Sequence, residues 1–300
     1  MEYFWGIDFG GTKIECAVIR DMESLQILAR ERVSTDNHLG YEHMINQVAL
    51  LIDIVSDKIG TRPKRIGMCT PGTTEPATGF MKNSNATGLN GKPFNRDLEL
   101  KLGIPVMMAN DANCFALAEA RLGAAKEHGG SDGVVFGIIM GSGVGGGLVL
   151  NGRVWNGLHG IGGEWGHSIL EENGYPCYCG LNGCVEQVIS GPALERYYKS
   201  LSGHDLKLKE IWEAHQSGLD EFADRTVDRL LEYYGRATAQ LINILDPNAI
   251  VIGGGVGNLD CLYTEGRERI LKYLFNGELK TPILKPRLGD SAGVFGAALL

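Results

Sequence analysis

Apolar residues recur along this chain in two rhythms: short runs that open onto glycine, and longer stretches with helical spacing. Residues 3–8 and 13–20 are short apolar-rich strands around Gly10-Gly11-Thr12 and predict a hairpin. Met44, Val48, Leu51, Ile52, Val55 and Ile59 predict a helix over 41–60. A strand at 64–69 runs into Thr70-Pro71-Gly72, and residues 73–97, rich in Asn, Gly, Thr and Pro, read as a functional loop or loose hairpin. A strand over 104–109 ends at Asn110-Asp111, and a helix over 112–123 follows with Phe115, Ala118 and Leu122 on one face. The run 134–140 predicts a strand, 141–147 a glycine loop, 148–150 a second strand, and Asn151-Gly152 a hairpin turn. Helices at about 191–201 and 220–245, a buried strand at 249–252 and a short apolar helix at 291–300 complete the pattern.

The strand–glycine–strand unit occurs twice, at 3–20 and 134–152. In a chain that alternates strands and helices, this duplication predicts an α/β fold with two related lobes facing one cleft. A length of 300 residues fits two lobes better than one core. Glycine is the compositional outlier, with 43 residues. The clusters at 10–11, 141–147, 160–163 and 253–257 read as places where backbone approaches a ligand closely.

The net charge of −8, without any Lys/Arg run, argues against a nucleic-acid partner. No apolar run approaches the length of a membrane span. The N-terminus lacks the basic start and apolar core of a signal peptide. Cys16, Cys69, Cys114 and Cys261 are scattered among apolar residues, the pattern of reduced thiols in a cytoplasmic protein.

Asp8-Phe9-Gly10-Gly11-Thr12-Lys13 is the first phosphate candidate. Its glycines would expose backbone N–H groups, and Asp8 at the strand end would hold the water shell of magnesium. An ordinary glycine hairpin is the alternative. Gly141-Ser142-Gly143-Val144-Gly145-Gly146 has dinucleotide-fingerprint spacing, but a strand follows where that fingerprint needs a helix. A second phosphate-binding hairpin fits better. Gly253-Gly254-Gly255, at another strand end, serves either tight packing or the flat adenosine ring.

Asp111 sits where a strand gives way to a helix, so it either caps that helix or acts as a general base positioned by Asn110. Residues 164–186 carry His167, Cys177, Cys179 and Cys184, a donor set that closes a tetrahedral structural zinc site with no open position. Glu164 and Glu186 bracket the set and would be pinned by it, reading either as solvated loop acids or as groups for sugar hydroxyls. His159 reads as a loop residue.

Together these residues resemble the ROK family of sugar kinases and sugar-responsive repressors, within the actin-like ATPase superfamily. Asp8–Lys13 is similar to the family's first phosphate motif. Glu164-Trp165-Gly166-His167 with Cys177-x-Cys179-Gly180-x-x-Gly183-Cys184-x-Glu186 is similar to its signature. The resemblance implies a two-lobed actin-like (ribonuclease H-like) fold with an interlobe cleft. Residues 1–111, joined by a C-terminal helix at about 284–300, would form one lobe. Residues 112–283, with the zinc segment 164–186, would form the other. It implies Asp111 as catalytic base and Asn110, Glu164, His167 and Glu186 as sugar ligands, with Gly72 and Asn85 in the substrate loop. His167 would hold zinc through one ring nitrogen and meet the sugar through the other. ATP with magnesium would lie across both glycine hairpins, the substrate would be a hexose phosphorylated on its 6-hydroxyl, and the assembly a homodimer.

Within the family, Lys82–Phe94, Pro176–Gly180, Leu201–Asp205 and Gly289–Gly293 most resemble fructokinases that also accept mannose. Asn110–Leu117 is shared with N-acetylglucosamine kinases. Two departures bear on specificity: Gly88 stands where those fructokinases carry tryptophan, and the loop from His167 to Cys177 is shorter. The repressors carry a helix-turn-helix ahead of the first phosphate motif, which here starts at residue 8.

Overall fold

The computed structural model describes residues 3–84 and 86–300; Asn85, expected near the sugar, lies outside the described residues. The first half of the chain runs β1 (Phe4–Phe9), β2 (Lys13–Asp21), β3 (Gln26–Ser34), α1 (Tyr41–Ile59), β4 (Ile66–Thr70), β5 (Thr73–Thr74), β6 (Met81–Lys82), α2 (Phe94–Leu102), β7 (Val106–Asn110) and α3 (Asp111–Arg121). The second half runs β8 (Val134–Met140), β9 (Val144–Leu150), β10 (Arg153–Val154), α4 (Val185–Ile189), α5 (Gly191–Ser202), α6 (Leu208–Ser217), α7 (Glu221–Leu245), β11 (Ala249–Gly253), α8 (Glu265–Leu271), β12 (Ile283–Leu284) and α9 (Ala292–Ala298).

Two five-stranded sheets share one topology, in the orders β3-β2-β1-β4-β7 and β10-β9-β8-β11-β12. In each, an antiparallel meander of three strands continues into two parallel strands. The duplicated hairpin in the sequence is thus the seed of two equivalent sheets. Helices α3 and α9 lie between them, where Ala17, Ile19 and Val294 share a buried cluster with Val135, Val149 and Val251. The outer faces carry separate cores, one built on Ile7, Phe9, Val48 and Phe94, the other on Phe136, Ile138, Leu230 and Tyr234.

Several expectations change. The second glycine loop is shorter than 141–147, because β9 begins at Val144 and takes Gly145, Gly146 and Gly147 into the sheet. A Cβ on Gly147 would stand 2.3 Å from the Ala112 carbonyl oxygen, so this glycine lets α3 lie on the strand rather than a ligand on a loop. Gly67 and Gly296 do the same for α9, where an added Cβ would meet the oxygens of Ala297 and Cys114 at 1.8 Å. Part of the glycine excess therefore serves helix packing. The stretch 73–97 holds the short β5–β6 hairpin and the start of α2, and β3, α4, α6 and α8 are elements the apolar pattern does not announce.

Candidate active site

Strand β7 delivers Asn110 and Asp111 to its carboxyl end, where open α/β sheets place their ligands. The Asn110 Oδ1 accepts the Asn113 N–H at 2.7 Å, so Asn110 is the cap of α3. Asp111 is thereby free of the capping duty that the sequence left open. Its side chain is open to the cleft, yet protein crowds its other sides, and this burial raises its carboxyl above the ordinary value. The Ala112 N–H, 2.8 Å from Oδ1, pulls the other way.

A cavity of about 330 Å³ spreads from Asp111. Gly72, Asn110 and the turn Gly141-Ser142-Gly143 line it, with Gly145 on the strand behind. Glu164, His167, Tyr178 and Glu186 close the far side. Gly72 has its own structural reason to be glycine: its φ is +78°, and a Cβ would stand 2.6 Å from the Lys82 carbonyl oxygen.

The turn at 141–143 is closed by the Gly141 N–H donating to the Gly143 oxygen at 2.9 Å. Gly254, at φ +85°, lies against it, since its Cβ would collide with the Met140 oxygen at 2.2 Å. Gly253 packs on Phe115, while nothing crowds Gly255. The other phosphate candidate, Gly10-Gly11-Thr12-Lys13, forms the β1–β2 turn, with the Gly10 N–H on the Lys13 oxygen at 3.0 Å and Gly11 exposed. Neither the 10–13 turn nor 253–255 lines the cavity itself. Asp8 nevertheless stands within electrostatic reach of Asp111. Burial raises its carboxyl, the Cys69 thiol beside it lowers it, and the charges of Glu15 and Asp111 raise it further. The Lys13 charge draws it back down.

His167 Nδ1 lies 3.5 Å from Cys177 Sγ, and Cys179 Sγ lies 3.6 Å from Cys184 Sγ. All four donor atoms fall within 4.8 Å of one another. Tetrahedral zinc, with bonds of about 2.3 Å to sulfur and about 2.0 Å to nitrogen, separates its ligands by roughly 3.5–3.8 Å. The donor set fits that ion in both chemistry and spacing.

The two bracketing acids are not loop acids of one kind. Glu164 precedes a single 3₁₀ turn, Trp165–His167, whereas Glu186 lies in the first turn of α4. Burial raises the Glu164 carboxyl, His167 lowers it, and Asp111 and Glu186 raise it. Glu186 Oε2 accepts the Val144 N–H. Tyr178 is the residue that sequence reasoning missed. Its hydroxyl lies 2.9 Å from His167 Nε2, the nitrogen expected to meet the sugar. The residue is 76% exposed, but partial burial of its hydroxyl end, and after it the charges of Glu186 and Glu164, push the phenol up to about 12.

The sequence profile of the ROK family matches residues 4–300. The chain belongs to the ROK family. Among ROK relatives, the N-acetyl-D-glucosamine kinase of Aliivibrio salmonicida is 36% identical, with 99% of each chain covered. The N-acetyl-D-glucosamine kinase of Haemophilus influenzae is also 36% identical, over 99% of this chain and 98% of its own. The ROK hexokinase of Thermus thermophilus superposes with a TM-score of 0.87 at 36% identity, covering 99% of this chain and 97% of that one. The ROK glucokinase of Streptomyces griseus, solved with glucose and AMPPNP, gives 0.75 at 28% identity, covering 99% and 98%. These matches carry the two-lobed actin-like architecture expected from the motifs.

Proposed function

We propose that this ROK protein is an ATP-dependent sugar kinase that phosphorylates the 6-hydroxyl of N-acetylglucosamine. One observation carries the reading: a carboxylate of raised pKa, Asp111, faces the same cavity as a glycine turn and the acids Glu164 and Glu186. The end-to-end match to N-acetyl-D-glucosamine kinases supports the substrate over the fructose that the motifs first suggested.

Asn110, Glu164 and Glu186 hold the sugar's hydroxyls, with His167 at the same corner and Gly72 beside them. Asp111 accepts the proton of the 6-hydroxyl. The bond from that oxygen to the γ-phosphorus forms as the bond to the β-bridging oxygen breaks, and ADP leaves. Backbone N–H groups of the 10–13 and 141–143 turns other than those of Gly10 and Gly141, with the Thr12 and Lys13 side chains, cradle the phosphates, and Gly253–Gly255 give the adenosine a flat bed. Asp8 would hold magnesium, which would supply charge neutralisation. His167, Cys177, Cys179 and Cys184 would hold zinc, which would supply rigidity. The lobes are residues 1–111 with about 284–300, and residues 112–283. The resemblance adds a homodimer in the cytoplasm.

An ADP-release assay over N-acetylglucosamine, fructose, mannose and glucose tests the reading. The highest kcat/KM is expected for N-acetylglucosamine. A higher value for fructose returns the substrate to that sugar, and ADP release with no sugar of the panel sinks the kinase assignment.

A further inference from the structure

A sugar offers two kinds of surface: a rim of hydroxyls and faces of C–H groups. Acids and amides satisfy the rim, while the faces need an apolar wall. The cleft described above is rich in the first and poor in the second. Its remaining lining is glycine, short polar groups and small aliphatic side chains, and Tyr178 is its one phenyl ring.

That ring is held from two sides. The backbone around it is tied into a tight turn, where the Cys177 N–H donates to the Leu181 oxygen at 2.8 Å and the Gly180 N–H to the Cys177 oxygen at 3.0 Å. The ring edge meets the His167 imidazole at a centroid distance of 5.0 Å and an interplanar angle of 85°. His167 Nδ1 faces the thiols, so with that nitrogen on a metal the ring proton would reside on Nε2 and would donate to the Tyr178 oxygen. The phenol's own proton is then left to point elsewhere, and Glu164 and Glu186 lie on its cleft side. A solvent-exposed aromatic surface at the mouth of a polar cleft gains most when a ligand covers it.

We propose that Tyr178 is a sugar-binding residue, its ring lying along the C–H face of the sugar and its hydroxyl donating to a sugar oxygen. His167, at the same wall of the cleft, also positions that hydroxyl. The inference rests on the kinase reading above.

The test compares Tyr178→Phe and Tyr178→Ala with the parent protein, each with its metal content measured. Sugar Kd comes from calorimetry, and KM for sugar and for ATP from steady-state kinetics. Tyr178→Phe should raise sugar Kd and KM by about threefold to tenfold, the weight of one hydrogen bond. Tyr178→Ala should raise them further, with kcat held within about twofold, the signature of lost ground-state binding. The ratio of kcat/KM between N-acetylglucosamine and fructose should also shift, which a merely structural role would not produce. Unchanged sugar Kd in both variants overturns the proposal, as does an equal rise in KM for ATP. Tyr178→Phe keeps the ring and decides the matter if Tyr178→Ala loses metal. A parent protein that phosphorylates no sugar brings down the kinase reading instead.

Discussion

Glu186 Oε2 accepts the Val144 N–H at 3.0 Å, joining an acid on the far wall of the cleft to the first residue of β9, directly after the 141–143 turn. A Cβ on Gly143 would stand 2.5 Å from that same oxygen. Gly143→Ala should therefore displace the Glu186 carboxylate as well as crowd the nucleotide. The expected result is a rise in KM for sugar of roughly tenfold or more, as for a lost charge-assisted bond, alongside the rise for ATP. A sugar KM that stays put would mean the bond transmits nothing.

Replacing Asp111 by Asn keeps a side chain able to accept the Ala112 N–H but removes the proton acceptor. Turnover should fall by about 10²–10⁴, the usual weight of general-base catalysis. Metal content and sugar affinity should survive. Near-parental kcat would remove Asp111 from the mechanism.

The raised carboxyls of Asp8, Asp111 and Glu164 make a pH prediction with a definite sign. Between the unfolded and the folded pKa of each group, the folded state binds more protons than the unfolded one. Their contribution to stability is thus fullest below the ordinary carboxylate value and is lost as pH rises through the folded one. Ligand-free protein should show this as a Tm component that declines with rising pH and is smaller in Asp111→Asn. The acid limb of kcat/KM should also lie above the ordinary carboxylate range, because Asp111 works deprotonated. A limb at the unperturbed value would contradict the burial of this group.

Removal of the metal by a chelator should loosen the corner formed by His167, Tyr178 and Glu164 first. Sugar affinity should weaken by roughly tenfold or more, the scale seen when the groups supporting a site are lost. ATP affinity should change less, since the turn at 141–143 is also tied by the Gly191 N–H on the Gly141 oxygen at 2.9 Å. Calorimetry with each ligand, before and after chelation, separates the two. Equal losses would show that the cluster supports both sites alike.

Legibility in the sequence followed how much each element buries. Helix α1 turns seven residues inward at helical spacing and stands where the pattern put it. Strand β3 is an edge strand with one fully buried residue, Ala29, and α6 has only Ile211, so neither produces a periodic signal. The glycine turns and the Cys/His cluster were visible because their residue types are demanding. The division of labour between Asn110 and Asp111 was not, because capping and catalysis ask for the same residues at a strand–helix junction. Tyr178 was hidden for another reason: its neighbour in the fold, His167, is a relation of the folded loop and leaves no periodic mark. Glycines were legible as a surplus, but only packing tells Gly143, which faces the cleft, from Gly147, which seats a helix.

The contact of α9 with β1 has a consequence for how the molecule is made. An added Cβ on Gly6 would stand 2.1 Å from the Val294 oxygen, so the first strand has its inner face covered by a segment far along the chain. Until residue 298 has left the ribosome, the cluster that holds Ala17 and Ile19 lacks Val294, Phe295 and Ala298. A nascent chain therefore carries the first sheet with its inner face uncovered until α9 has been made, open to chaperones and to sticking. Closure between such distant segments is a slow kind of contact to form. The lobe that begins the chain is the one whose folding has to wait.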